Sequence, residues 1–189
     1  MAQAALHEIG PAGPGAEAAA LGFSLALAIS WRPPVVFWAG EAAAFAEEGA
    51  PYPLGLVQYG LDLDRLIVIR AKTRDETLWA AEQGLAAPGG VVICALGSRG
   101  KPLDLKASRR LLLFAERNRS RCVLLQPETG PSAAWTRWRI APAPSAGVGR
   151  ELGAPAFRAE LTRNRAGPVG ETFILDWNAH DRAFADRAL

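Results

Sequence analysis

The chain has 189 residues, 50% hydrophobic and 21% charged, which suffices for one domain with a real core, is short for two, and excludes wholesale disorder. The net charge of +2 hides a split, since residues 1–95 carry a net −5 and residues 96–189 a net +7; one face is therefore expected to meet an acidic partner or nucleic acid. The two cysteines, Cys94 and Cys122, sit in apolar runs and the two histidines, His7 and His180, lie far apart, so buried reduced thiols are expected and a metal site is not.

Leu6–Ile9 reads as a short strand. The glycine-rich stretch Gly10–Glu17 follows, then an alanine-rich helix to about Trp31 that Pro33 and Pro34 stop. The stretch Ala18–Trp31 is the longest uncharged apolar one. It is shorter than the roughly 20 residues a bilayer span needs, and no basic segment precedes it as in a signal peptide. A buried helix of a cytoplasmic protein is expected.

Val35–Trp38 is a strand, Glu41–Glu48 a short helix and Pro51–Gly60 a turning segment with Leu56 and Tyr59 inward. Leu66–Arg70 is a strand, Asp75 caps a helix to about Ala86, and Val91–Leu96 is a buried strand. Asp104 caps a helix to Asn118, and Arg121–Leu125 is the next strand. Then the texture changes: Trp135–Ala141, Phe157–Arg163 and Thr172–Trp177 alternate apolar and polar residues, as half-exposed antiparallel strands do. Ala141–Gly147 is a flexible connection. The expected class is α/β, with a mainly parallel sheet in front and antiparallel strands extending it in the C-terminal third. One domain over residues 1–178 is expected, with residues 179–189 as a tail or short helix.

A strand, a glycine loop and a helix are the layout that cradles phosphate, with the pattern G-x-x-x-x-G-K-[ST]. Gly10 and Gly15 keep the spacing, with Gly13 between them, but Ala16 and Glu17 stand where the lysine and the hydroxyl belong. Ala16 brings no charge to a phosphate, and Glu17 would repel it by roughly 4 kcal/mol at about 4 Å and a surface-like dielectric. Neither catalysis nor a cofactor is expected from this loop.

The order LHEIGPAGPGAE, VVFWAGE, LDLDRLIVIR, VVICALGS, VLLQP, LTRNRAG resembles the core of RecA recombinases. It is more similar still to the ImuA family, RecA-like accessory proteins of bacterial mutagenesis cassettes. Leu6-His7-Glu8, GLVQYGL (Gly55–Leu61), LDLKASRR (Leu103–Arg110), WTRWR (Trp135–Arg139) and LTRNR (Leu161–Arg165) carry that likeness. The resemblance implies a RecA-like three-layer core. It also places the catalytic glutamate of RecA at Glu41 and a nucleotide-sensing glutamine at Gln126, both vestigial here, because the strand-end aspartate near Cys94 and Ala95 is missing too. By the same likeness the implied function is SOS-induced error-prone translesion synthesis. The implied partners are an ImuB-like Y-family polymerase homologue, RecA and, indirectly, the error-prone DNA polymerase III alpha-type subunit.

Other readings compete. A SulA-type inhibitor of the tubulin-like division GTPase would also be RecA-like, and an atypical nucleotide-binding ATPase would keep a live site. No G-x-S-x-G elbow is present and neither histidine lies near a serine in sequence, which disfavours a serine hydrolase. Arg109 and Arg110 share a helix and are either a solvated face or a docking surface. In WTRWR, alternation puts Trp135, Arg137 and Arg139 on one face and Thr136 and Trp138 on the other. That arrangement suits tryptophan packing under the sheet or an Arg–aromatic platform for weak, sequence-independent DNA binding. Arg158, Arg163 and Arg165 are edge-strand or partner-contact candidates.

Overall fold

Every residue of the first strand, β1 (Ala5–Pro11), is buried, because this strand has neighbours on both sides and helices over both faces. A computed structural model describes residues 5–97, 101–127, 130–145, 147 and 153–187. After β1 come α1 (Glu17–Ser30), β2 (Val36–Glu41), α2 (Ala42–Glu48), α3 (Pro53–Gln58), a 3-10 turn (Leu63–Arg65), β3 (Leu66–Ala71), α4 (Arg74–Leu85) and β4 (Val91–Ala95). Then follow α5 (Leu105–Asn118), β5 (Arg121–Leu125), β6 (Thr136–Pro142), β7 (Ala156–Asn164), β8 (Thr172–Asn178) and β9 (Ala183–Arg187). They build one sheet ordered β3-β2-β4-β5-β1-β6-β7-β8-β9. Pairing is parallel from β3 through β6 and antiparallel from β6 to β9. The expected class and the extension by antiparallel strands are both present.

Alternation along the strands separates two cores. Ile9, Val36, Trp38, Ile93 and Val123 face α1. Leu6, Val92, Cys94, Cys122 and Leu124 face α4 and α5. Helix α1 is buried almost all round beyond its first turn, because aromatic residues of the C-terminal strands close over it: the Phe23 ring lies 5.9, 5.7 and 5.2 Å from those of Trp138, Phe157 and Phe184. Gly22 is required there, since a Cβ would sit 2.6 Å from Tyr59 Oη. Both cysteines are free and buried.

Two local expectations need correction. The cap of α4 is Thr73, not Asp75: its Oγ1 accepts the Glu76 N–H at 3.2 Å while the Glu76 carboxylate accepts the Lys72 N–H at 2.7 Å. This is a variant of the capping box, which shifts the helix start to Arg74. Within residues 179–189, a strand, β9, replaces the expected tail or helix. Asn178 Oδ1 turns the chain by accepting the N–H groups of His180 and Asp181, each at 3.0 Å. Phe184 then packs 5.1 Å from the Trp177 ring, and Arg187 grips Asp176 with two donors. Asp104 caps α5 as expected, its carboxylate accepting the Ala107 N–H at 2.7 Å.

Trp177 is 1% exposed and donates its indole N–H to the Tyr59 carbonyl at 3.1 Å. Trp177→Ala is expected to lower unfolding stability by about 3–5 kcal/mol, whereas Leu105→Ala, at a position 53% exposed on α5, should stay within about 0.5 kcal/mol. Urea titration of both variants measures the difference.

Candidate functional site

The loop between β1 and α1 keeps the shape of a phosphate cradle with few donors to offer. Gly15 takes a positive φ of 82°. Pro11 and Pro14 have no N–H to give. The Ala12 N–H donates to the Ile140 carbonyl at 2.7 Å and that of Ala16 to the Gly13 carbonyl at 3.2 Å. Between Pro11 and Ala16 this leaves the N–H groups of Gly13 and Gly15. Ala16 is 4% exposed, so its methyl is part of the core, and Glu17 opens α1 exposed to solvent. Gly10 ends the strand against β5 and β6: a Cβ there would lie 3.0 Å from the Gln126 carbonyl and 3.4 Å from an Arg139 guanidinium nitrogen.

Beneath the loop, at the C-terminal ends of β1, β2, β4 and β5, lies a half-open cleft of about 540 Å³. Its walls include Leu21, Trp38, Phe45, Leu96 and Leu125, and its rim includes Gly15 and Glu17. Among the described lining residues Glu17 is the only ionisable one. Glu41 stands beside it: its Oε1 would lie 4.0 Å from a Cβ on the lining residue Gly97, and that oxygen is buried without a hydrogen-bond donor. Where the strand-end aspartate is missing, Ala95 and Leu96 line the cleft.

Gln126, taken from the sequence as a vestigial nucleotide sensor, points to the other face of the sheet. It is 1% exposed; its Nε2 donates to Glu8 Oε1 at 2.8 Å and its Oε1 accepts the Leu103 N–H at 3.0 Å. Glu8 is fully buried and also accepts the Ser132 hydroxyl at 2.6 Å and Arg137 Nη2 at 3.0 Å. Arg137 further donates to Ser132 Oγ at 3.1 Å and to the Gly130 carbonyl. Arg137 and Gln126 are thus held by structure. Reading the sequence for catalytic spacing passed over Glu8; the signal was a carboxylate within an apolar strand, which must find a partner.

No family model matches the chain. Over 98% of its length it superposes on 91% of the crystal structure of the RadB recombinase, with a TM-score of 0.59 at 16% identity, which establishes the RecA-like fold. Protein ImuA of Caulobacter vibrioides, from strain NA1000 / CB15N and from strain ATCC 19089 / CIP 103742 / CB 15, is 37% identical over 61% of the chain. Over that stretch the chain is similar to these ImuA proteins. It spans about half, 52%, of the length of those ImuA proteins.

The arginines expected from the sequence fall into distinct settings. Arg110 Nε bonds Glu82 of α4, joining two helices, while its own side chain stays 55% exposed against 10% for Glu82; Arg109 is exposed. On the sheet face opposite α1, helix α4 packs on β2, β3 and β4 and helix α5 on β1 and β5, and among the described residues no helix packs on β6 to β8 on that face. Arg139, Arg158 and Arg163 occupy that face in register across β6 and β7, with Glu160 opposite Arg139. Arg165 lies over the Trp135 ring at 5.9 Å. Burial, then the neighbouring Arg165 and Arg137, pull the Arg163 pKa below its ordinary value, against the opposite pull of Glu8. The alternation expected in WTRWR holds for Arg137 and Arg139 against Thr136 and Trp138: His7 Nδ1 and Thr136 Oγ1 lie 2.8 Å apart on the α1 side, with Trp138 in the same core.

Two outcomes follow from the buried groups. Arg137→Ala strands the Glu8 charge and is expected to cost about 3–5 kcal/mol, with Glu8→Gln in the same chain recovering much of it, read by denaturant unfolding of the single and double variants. His7, wholly buried, has its pKa pushed down to about 4 by burial and then by Arg121. Its folded pKa is below the unfolded value of 6.5, so on acidification the unfolded chain takes the proton first. Its contribution is whole above pH 6.5 and falls by roughly 3 kcal/mol on approach to pH 4. Urea midpoints between those pH values should fall less steeply for His7→Asn than for the unaltered chain.

Proposed function

We propose that this chain is a non-catalytic RecA-like accessory factor of SOS-induced, error-prone translesion DNA synthesis, working in the cytoplasm by binding proteins. The observation that carries this reading is the altered loop and cleft. The fold has a phosphate-cradle layout, yet a buried methyl and an exposed carboxylate stand where lysine and hydroxyl would meet a nucleotide, and apolar residues line the strand ends. Such a site favours neither a triphosphate nor its hydrolysis. Kinship with ImuA supplies the biological setting.

The partners proposed are an ImuB-like Y-family polymerase homologue, RecA, or both, with the error-prone DNA polymerase III alpha-type subunit reached indirectly. The uncovered face of β6 and β7 is the preferred docking surface. Arg139, Arg158 and Arg163 lie there without a carboxylate within ion-pair distance among the described residues, and Arg165 borders them. An acidic partner segment would relieve their mutual repulsion. Of the aromatic rings on this sheet, Trp138, Phe173 and Trp177 lie in or against the α1 core, and Trp135 is covered by Arg165 at 5.9 Å, so any DNA binding here is weak and carried mainly by phosphate contacts.

Two measurements test the reading. Magnesium-ATP at millimolar concentration should leave the melting temperature unchanged, because a ligand that binds the native state must raise it; a rise would restore the atypical ATPase. Arg139→Glu/Arg163→Glu/Arg165→Glu should retain the fold and lose capture of purified ImuB-like protein and of RecA at least tenfold, as like charges across an interface cost several kcal/mol. Capture of the tubulin-like division GTPase in their place would favour the SulA-type alternative.

A further inference from the structure

The cleft at the ends of β1, β2, β4 and β5 has a positive chemistry of its own. Its volume of about 540 Å³ falls within the range of ligand pockets. Trp38 and Phe45, 3% and 8% exposed, give it a floor held by the core, and Leu21, Leu96 and Leu125 complete an apolar wall. Among the described residues two carboxylates stand at hand, and the Arg70 guanidinium lies over the Phe45 ring at 5.9 Å. Glu17 stands exposed at the rim. The Glu41 Oε1 is buried beside Gly97 without a donor among the described residues, and a buried acceptor calls for one. No lysine or arginine is among the described lining residues. The charge on the described lining is therefore acidic, which favours an apolar group bearing a cation over one bearing an anion.

The polar side chains converging on the cleft are too few to orient a free small molecule, which needs several placed donors and acceptors. An apolar wall with a charged rim is how one protein anchors a side chain of another. We propose that this cleft is a docking pocket for a partner-protein segment that inserts an apolar side chain against Trp38, Phe45 and Leu21 and presents an adjacent lysine or arginine to Glu17 and Glu41. The proposal rests on the protein-binding role argued above. It adds a second surface of opposite preference: the arginine face of β6 and β7 takes acid, and the cleft takes base.

Thiol tethering tests it without the partner. Cys94 and Cys122 are fully buried, with burial pushing the Cys94 thiol up to about 12 and Cys122 well above its ordinary value, so a cysteine placed in the cleft is the reactive one. Ala44→Cys on α2, and Leu21→Cys on the opposite wall, are each equilibrated with three disulfide probes of equal length: phenyl with ammonium, phenyl with carboxylate, and ammonium without a ring. The phenyl-ammonium probe should withstand at least tenfold more competing thiol than either of the others. Glu17→Lys in the same chains should reverse the order of the two phenyl probes, and Asp64→Cys, on the exposed 3-10 turn, should show no order. Equal retention of the three probes in the cleft, or the same order at Asp64→Cys, overturns the proposal. If the probes order as expected but the unaltered chain captures neither ImuB-like protein nor RecA, the pocket stands and the accessory reading falls. Normal capture with equal retention removes the pocket alone.

Discussion

A fully buried carboxylate in the central strand sets the terms for the rest of the molecule. Glu8 sits in β1 with strands on both sides and helices over both faces, where water cannot reach its charge. An unpaired ion there would cost several kcal/mol. Gln126 from the end of β5, Ser132 from the next connection and Arg137 from β6 share it, and Gln126 in turn fixes the chain at Leu103 ahead of α5. Strand β1, the stretch 126–137 and the chain at Leu103 are therefore held to one register. Replacing such a network by apolar side chains of equal volume is often neutral in stability, so its contribution is the choice of one arrangement over others. The parallel half meets the antiparallel half at this point, between β1 and β6.

That junction also explains why the loop and the cleft could lose their polar chemistry while the fold persisted. Gly10 is constrained by the Gln126 carbonyl and by Arg139, and Ala12 by Ile140, so the turn out of β1 is shaped by β5 and β6 and needs no bound anion to order it. Ala16 and the cleft walls are then free to pack as apolar surface. The rim carries the acid Glu17 where a phosphate site needs base.

Periodicity made most of the architecture legible. β5 matches its sequence-expected bounds, and β1, β2, β4 and α5 lie within a few residues of theirs, because each carries an unbroken apolar run or a clear cap. The switch to antiparallel strands was readable from alternation beyond Gln126. β9 was not, since Ala183–Arg187 is short and mostly exposed, and it is fixed by Trp177, Phe23 and Asp176, contacts made across the fold. The roles of Gln126, Arg110 and Arg137 were hidden for the same reason: a glutamine at a strand end and an arginine on a helix read alike whether they meet a ligand, solvent or a buried carboxylate. The cleft left one sequence signal, the loss of lysine and hydroxyl, which says what is gone and nothing of the apolar wall that Phe45 and Leu96 supply.

The enclosure of α1 bears on how the chain is made. This helix emerges before the C-terminal strands, yet the rings that seal it belong to Trp138, Phe157 and Phe184. Until the C-terminal strands are complete, Phe23 and its apolar neighbours have the parallel strands on one side and water on the other. Contacts so distant along the chain form slowly, because a long loop must close before they reward it. A nascent chain arrested after β5 would present a bare apolar helix to whatever chaperone or neighbouring chain is nearby. A helix made well before β6 to β9 is covered only when they are in place, and those strands protect it from aggregation.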